Sequence, residues 1–101
     1  MQADLVIRNA SQVLTLDPGH RGADPEPAGL GLIRDGAVAV MSRSISWVGR
    51  DADLEAEVSL TPAGRVIDAG GGVIMPGLVD PHTHVVFAGS RHAEFALRLK
   101  E

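Results

Sequence analysis

Two histidines stand two residues apart in Pro76-Gly77-Leu78-Val79-Asp80-Pro81-His82-Thr83-His84. In an extended strand, side chains at i and i+2 project from one face. His82 and His84 then present two imidazoles side by side, and Thr83 points away. Such a pair suits a transition metal, and it equally suits two histidines hydrogen-bonded to backbone or water at a strand end. Asp80 shares their strand parity, so it can orient an imidazole from behind or cap backbone amides. Arg91 carries a planar, permanently charged fork that fits a carboxylate bidentately; taken alone, it fits a surface salt bridge as well. His92 lies too near His84, across a short loop, to complete a metal site. The chain has no cysteine, which excludes disulfides and thiolate ligands. Any metal bound here takes nitrogen and oxygen donors.

The elements that must position these groups differ on either side of residue 70. Leu5-Val6-Ile7 and Val13-Leu14-Thr15-Leu16 read as two short strands separated by a polar bend at Arg8–Gln12. Asp17 to Gly31 holds three prolines and no apolar period, so it reads as a surface loop with His20 as a solvated loop histidine. Gly36–Val40 and Ile45–Gly49 flank Met41–Ser44 as a hairpin, without the Asn-Gly or Asp-Gly signal that would define its turn. Leu54 and Val58 at i, i+4 behind acidic residues suit a helical turn, which Thr61-Pro62-Ala63-Gly64 stops. Arg65–Asp68 is a further strand.

Gly70-Gly71-Gly72 reads as a linker or a close backbone crossing. A phosphate loop would need a following Lys-Ser/Thr and a helix. Val73-Ile74-Met75 and Leu78-Val79 lack alternation, as in a parallel strand buried on both faces, with Pro76-Gly77 as a kink. Phe95 and Leu99 at i, i+4 begin a helix. The expected organisation is an all-β module over residues 1–70 and the first βα unit of a parallel α/β fold over 71–101. The two histidines would stand at the C-terminal end of its strand, where barrel enzymes place catalytic groups.

Composition narrows the classes. One hundred and one residues suffice for one small domain but not for a barrel of roughly 250 residues. The formal net charge is −4, with nine scattered lysines and arginines and few aromatics, which argues against a nucleic-acid partner. No apolar run approaches the roughly 18 residues of a membrane helix. Met1-Gln2-Ala3-Asp4 has no basic stretch of the kind that opens a signal peptide. A cytoplasmic location is expected.

The run Asp68-Ala69-Gly70-Gly71-Gly72-Val73-Ile74-Met75-Pro76-Gly77-Leu78-Val79-Asp80-Pro81-His82-Thr83-His84 resembles the first-strand signature of the amidohydrolase superfamily. These are metal-dependent hydrolases with a (β/α)₈ TIM barrel flanked by a small β-sandwich built from both chain ends. The resemblance implies an α/β fold, with residues 1–70 as N-terminal strands of the sandwich and 71–101 as the start of an incomplete barrel. His82 and His84 match the first two metal ligands. Within the superfamily, the segment Val85 to Lys100, with Phe87-Ala88-Gly89-Ser90-Arg91 and Glu94-Phe95-Ala96-Leu97-Arg98-Leu99, is similar to the imidazolonepropionase family of histidine degradation. In that family the arginine matching Arg91 contacts the substrate's propionate.

That narrower resemblance implies hydrolysis of the ring C–N bond of 4-imidazolone-5-propanoate, giving N-formimidoyl-L-glutamate. It also implies one zinc or iron ion, a small-molecule substrate and a homodimer. Another cyclic amidohydrolase or deaminase, or a non-catalytic β-domain with an incidental His-x-His, are the alternatives; Arg91 and the Glu94–Leu99 segment argue against the first. Two departures stand out: Glu101 follows where the family has a small residue, and Ser42-Arg43-Ser44 lacks the customary turn glycine. The family's remaining ligands and acid/base groups have no counterpart in these residues. No catalytic residue is therefore assigned within the chain. The 101-residue chain is expected to be a fragment, inactive alone and weak in metal binding.

Overall fold

The structure, a computed structural model, describes residues Met1–Gly77. Its elements are β1 (Gln2–Leu14), β2 (Leu32–Met41), β3 (Ser44–Arg50), a 3₁₀ turn (Asp51–Asp53), α1 (Leu54–Glu57), β4 (Ser59–Asp68) and β5 (Val73–Ile74). They form one mixed sheet in the order β3-β2-β1-β4, with β5 also on β1. β1 pairs antiparallel with β2 and parallel with both β4 and β5. β4 and β5 thus follow one another along the same edge of β1.

β2 is the buried centre. Successive side chains on a strand face opposite ways, so Ala37 and Ala39 pack on one side and Val38 and Val40 on the other. On the first side Ala3, Val6, Ala37 and Ala39 form a floor of small residues, and Leu54 of α1 sits on it, 5 % exposed, beside Trp47 and Val58. The i, i+4 pair Leu54/Val58 therefore does what its spacing predicts, although the helix is only one turn long. On the second side Ala10, Val13, Ile33 and Val38 pack with Val48, Ala69 and Ile74.

The Gly36–Gly49 hairpin forms as expected. Its loop is the two residues Ser42 and Arg43, between the paired Met41 and Ser44. Both have positive φ, 50° and 70°, which defines a type I′ turn. Asp4 Oδ2 accepts the Ser42 N–H at 3.0 Å, a local bond that holds the turn without glycine. Gly31 is the position where glycine is required. Its φ is +61°, and a Cβ there would lie 2.0 Å from Thr15 Oγ1 and 2.4 Å from the Asp17 carbonyl oxygen.

Four expectations need correction. Leu5–Ile7 and Val13–Leu16 are not two strands about a bend: residues Gln2–Leu14 are one strand. The polar stretch is accommodated by a bulge between Ile7 and Ala10, with Asn9 at φ +60°. Thr61–Gly64 does not end the helix, which stops at Glu57. These four residues lie inside β4, opposite Asp4, where the register jumps between Ala3↔Leu60 and Leu5↔Arg65. Pro62 is tolerated because β4 is an edge strand and the bulge needs no ladder donor there.

Val73–Met75 is not a strand buried on both faces. Val73 and Met75 are more than half exposed, and Val73–Ile74 joins the first sheet through Gln12↔Val73 and Val13↔Ile74. Finally, Asp17–Gly31 is a loop, but His20 is half-buried and its Nδ1 is shielded from solvent without a hydrogen-bond partner. Asp24 ties this loop to the sheet, accepting from the Arg34 N–H and from Arg50 Nη2.

Candidate functional site

The predicted site residues Asp80, His82, His84 and Arg91 lie outside the described residues, as do the Leu78–Val79 strand and the helix expected from Phe95 and Leu99. The structure describes what leads up to them. β4 carries the chain along β1 as far as Arg8↔Asp68, a glycine turn follows, β5 rejoins β1 at Gln12, and Pro76-Gly77 lead directly into Leu78. Gly70 and Gly71 have φ of +58° and +84°, with open space where a Cβ would stand. The triple glycine is therefore a left-handed turn rather than a tight crossing, and it has no feature of a phosphate loop.

Among the described residues no group of three or more His, Asp or Glu side chains is placed to hold a metal, and no helix is long and apolar enough to cross a membrane. A cleft of about 450 Å³ lies between the loop and β3, lined by Met1, His20, Arg21, Trp47, Arg50 and Glu57 among others. Two of its polar pairs are formed, Trp47 Nε1 donating to Glu57 and Arg50 to Asp24, while His20 Nδ1 has no hydrogen-bond partner.

The polar cluster that sequence reading missed lies around the β1 bulge. Arg8 donates through Nη2 to Asp51 Oδ1 and through Nη1 to Glu55 Oε1, both at 2.8 Å. Asp51 Oδ2 accepts the Asn9 backbone N–H at 2.9 Å. Arg8's hydrogen bonds hold the Asp51 carboxyl below the usual carboxylate range, the Asn9 amide adds to this, and partial burial opposes it. The same contacts, Asp51 first and Glu55 second, raise the Arg8 guanidinium further above its ordinary range. Glu55 is largely exposed, so its pair adds little stability.

The sign for Asp51 follows from linkage. A depressed native pKa gives stability that is fully present above the unfolded value of about 3.9 and is lost as pH falls through the native one. Asp51→Asn is expected to lower the thermal midpoint at pH 7 and to flatten its decline between about pH 5 and 2. Melting curves across that range check it, and a decline as steep as in the unaltered chain would refute it.

With this geometry in place, comparison with known proteins is informative. The sequence profile described as "Amidohydrolase family" matches residues 65–100. An imidazolonepropionase from Anaeromyxobacter sp. (strain K) is 56 % identical over 96 residues, covering 95 % of this chain and 21 % of that protein. The chain is an amidohydrolase homologue. Another imidazolonepropionase, from Myxococcus xanthus (strain DK1622), is 43 % identical over 100 residues, covering 94 % of the chain and 22 % of that protein. A crystal structure of a Bacillus thuringiensis protein superposes with a TM-score of 0.53 at 27 % identity, covering 83 % of this chain and 92 % of that one.

The homologue thus spans about a fifth of the length of the curated relatives it matches, and it corresponds to their N-terminal part. The family match begins at Arg65 in the second half of β4. It crosses the glycine turn and β5, so the last part of the described sheet and the His82–Arg91 stretch belong to one matched segment.

Proposed function

We propose that the protein containing this chain is an imidazolonepropionase, a hydrolase that opens the ring C–N bond of 4-imidazolone-5-propanoate to N-formimidoyl-L-glutamate. The observation that carries the reading is 56 % identity to an enzyme of that name over 95 % of the chain. In this reading the described sheet, β5 included, is one layer of a composite β-sandwich, and the residues that follow it open a TIM barrel. The protein is a cytoplasmic homodimer acting on a small molecule.

His82 and His84 hold the metal through neutral imidazole nitrogens, and Asp80 accepts the remaining N–H of one ring, fixing its tautomer and orientation. Nitrogen and oxygen donors without a thiolate suit zinc or iron, so the donor set fits the group. When bound, the metal lowers the pKa of water and polarises the ring carbonyl. Arg91 forms a two-point pair with the propionate carboxylate and so orients the ring. General acid/base work falls to residues beyond this chain's own.

The test is an assay of the protein encoded by the complete reading frame, following N-formimidoyl-L-glutamate. Turnover is expected, lost on chelation and restored by zinc or iron. Metal-loaded protein that leaves 4-imidazolone-5-propanoate intact would sink the proposal.

A further inference from the structure

β1 loses register on both of its edges at the same place. Toward β2 the pairing steps from Ile7↔Val38 to Ala10↔Gly36, so Arg8 and Asn9 together face Ala37. On the opposite edge β4 ends at Arg8↔Asp68, and β5 resumes at Gln12↔Val73. Ala69–Gly72 loops out between them. Asn9 is the residue common to both breaks, in the left-handed region at φ +60°.

Three polar groups of Asn9 meet three different segments. Its N–H donates to Asp51 Oδ2 at 2.9 Å, and its carbonyl accepts the Gly71 N–H at 2.8 Å. Its Nδ2 donates to Asp68 Oδ1 at 3.2 Å, and that same oxygen accepts the Gly70 N–H at 2.8 Å. Ser11 N–H donates to the Gly72 carbonyl at 2.9 Å. Gly70 and Gly71 have nothing around them for a side chain to pack on. Ala69 packs on the core, but at Gly70 and Gly71 hydrogen bonds, not packing, fix the path of the turn.

We propose that Asn9 is a positioning residue: its three bonds set the course on which the chain passes from β4 through the glycine turn into β5, and so toward Asp80–His84. The last link rests on the metal-site reading above. Asparagine suits the role because it tolerates left-handed φ and carries a neutral donor for Asp68. Glycine keeps the backbone conformation and both backbone bonds but not the Asp68 bond. Aspartate keeps the size but adds a third carboxylate between Asp51 and Asp68.

Amide exchange in the 101-residue chain, read residue by residue, tests this. Alanine loses the Asp68 bond and is strained at the left-handed φ that holds both backbone bonds, which together predict about tenfold faster exchange at Gly71 and Ser11 in Asn9→Ala, with Val38 and Trp47 unchanged. Asn9→Gly should restore most of the protection, and Asn9→Asp should not. Asp68→Ala, which leaves β1 untouched and removes the acceptor, should loosen Gly70 in the same way.

Zinc chloride titration of the His82 and His84 imidazole signals gives the second readout, and a weaker response in Asn9→Ala than in Asn9→Gly is expected. Unchanged Gly71 exchange in Asn9→Ala, or faster exchange spread equally over β2 and β3, overturns the proposal. A loosened turn with an unaltered zinc response overturns its extension to the histidines. If the unaltered chain shows no zinc response, the metal-site reading fails, and the exchange data still decide the role of Asn9.

Discussion

Ile33→Ala is expected to cost the chain about 2–5 kcal/mol, the usual range for emptying an aliphatic core site. Ile33 is the one large side chain among the described residues that is wholly buried. Its neighbours Ala10, Val13 and Val38 are small or branched at Cβ, so they have little freedom to move into the space it leaves. On the other side of the sheet the floor beneath Leu54 is largely alanine, which offers no reserve of apolar area. A domain this small has a total stability near the low end of roughly 5–15 kcal/mol. The loss therefore amounts to a midpoint drop of about 10 °C or more, or to outright unfolding. Thermal and urea melts check this, with Val66→Ala as the control. Val66 is 54 % exposed, and its truncation is expected to stay within about 0.5 kcal/mol. Equal effects at the two positions would contradict the core assignment.

What the sequence made legible was local and periodic. The hairpin follows from two β-rich runs about a short polar link, and the packing of α1 from Leu54 and Val58 one turn apart. The misreadings share one cause, which is that tertiary pairing overrode a local signal. Arg8 and Asn9 look like a break, yet β1 continues through them, because pairing on both edges and the Asp51 carboxylate hold the bulge. Pro62 and Gly64 look like a stop, yet an edge strand has room for them. Val73 and Ile74 look like the first buried barrel strand because nothing in their composition reveals that β1 offers them an open edge.

The cluster around Asn9 had no sequence signal at all. Its members lie 42 and 59 residues from Asn9 along the chain, and each alone is an ordinary polar residue. The chemistry of the proposed site was legible the other way round. His82, Thr83 and His84 announce themselves by parity, and Arg91 by its place in a longer resemblance. The amidohydrolase family match covers that same stretch, over residues 65–100.

Arg91→Ala, made in the complete protein, is expected to weaken catalysis on 4-imidazolone-5-propanoate mainly through KM. A guanidinium paired two-point with a carboxylate typically costs about 2–5 kcal/mol when truncated, because the charge left behind is bound without a partner. At about 1.4 kcal/mol per factor of ten, kcat/KM should fall between roughly thirty-fold and a few thousand-fold. Arg91→Lys separates geometry from charge. Lysine restores the charge as a single point and not the planar fork, so it should recover only part of the loss. A substrate analogue without the propionate carries the decisive comparison: if Arg91 binds that carboxylate, the analogue is turned over equally poorly by the unaltered enzyme and by Arg91→Ala. If Arg91 instead makes a surface salt bridge, both substrates lose the same small factor, or none. The experiment also bears on the histidine pair, since Arg91→Ala should leave metal content unchanged. Metal lost along with Arg91 would place the residue's role in the fold of the site and not in holding the substrate.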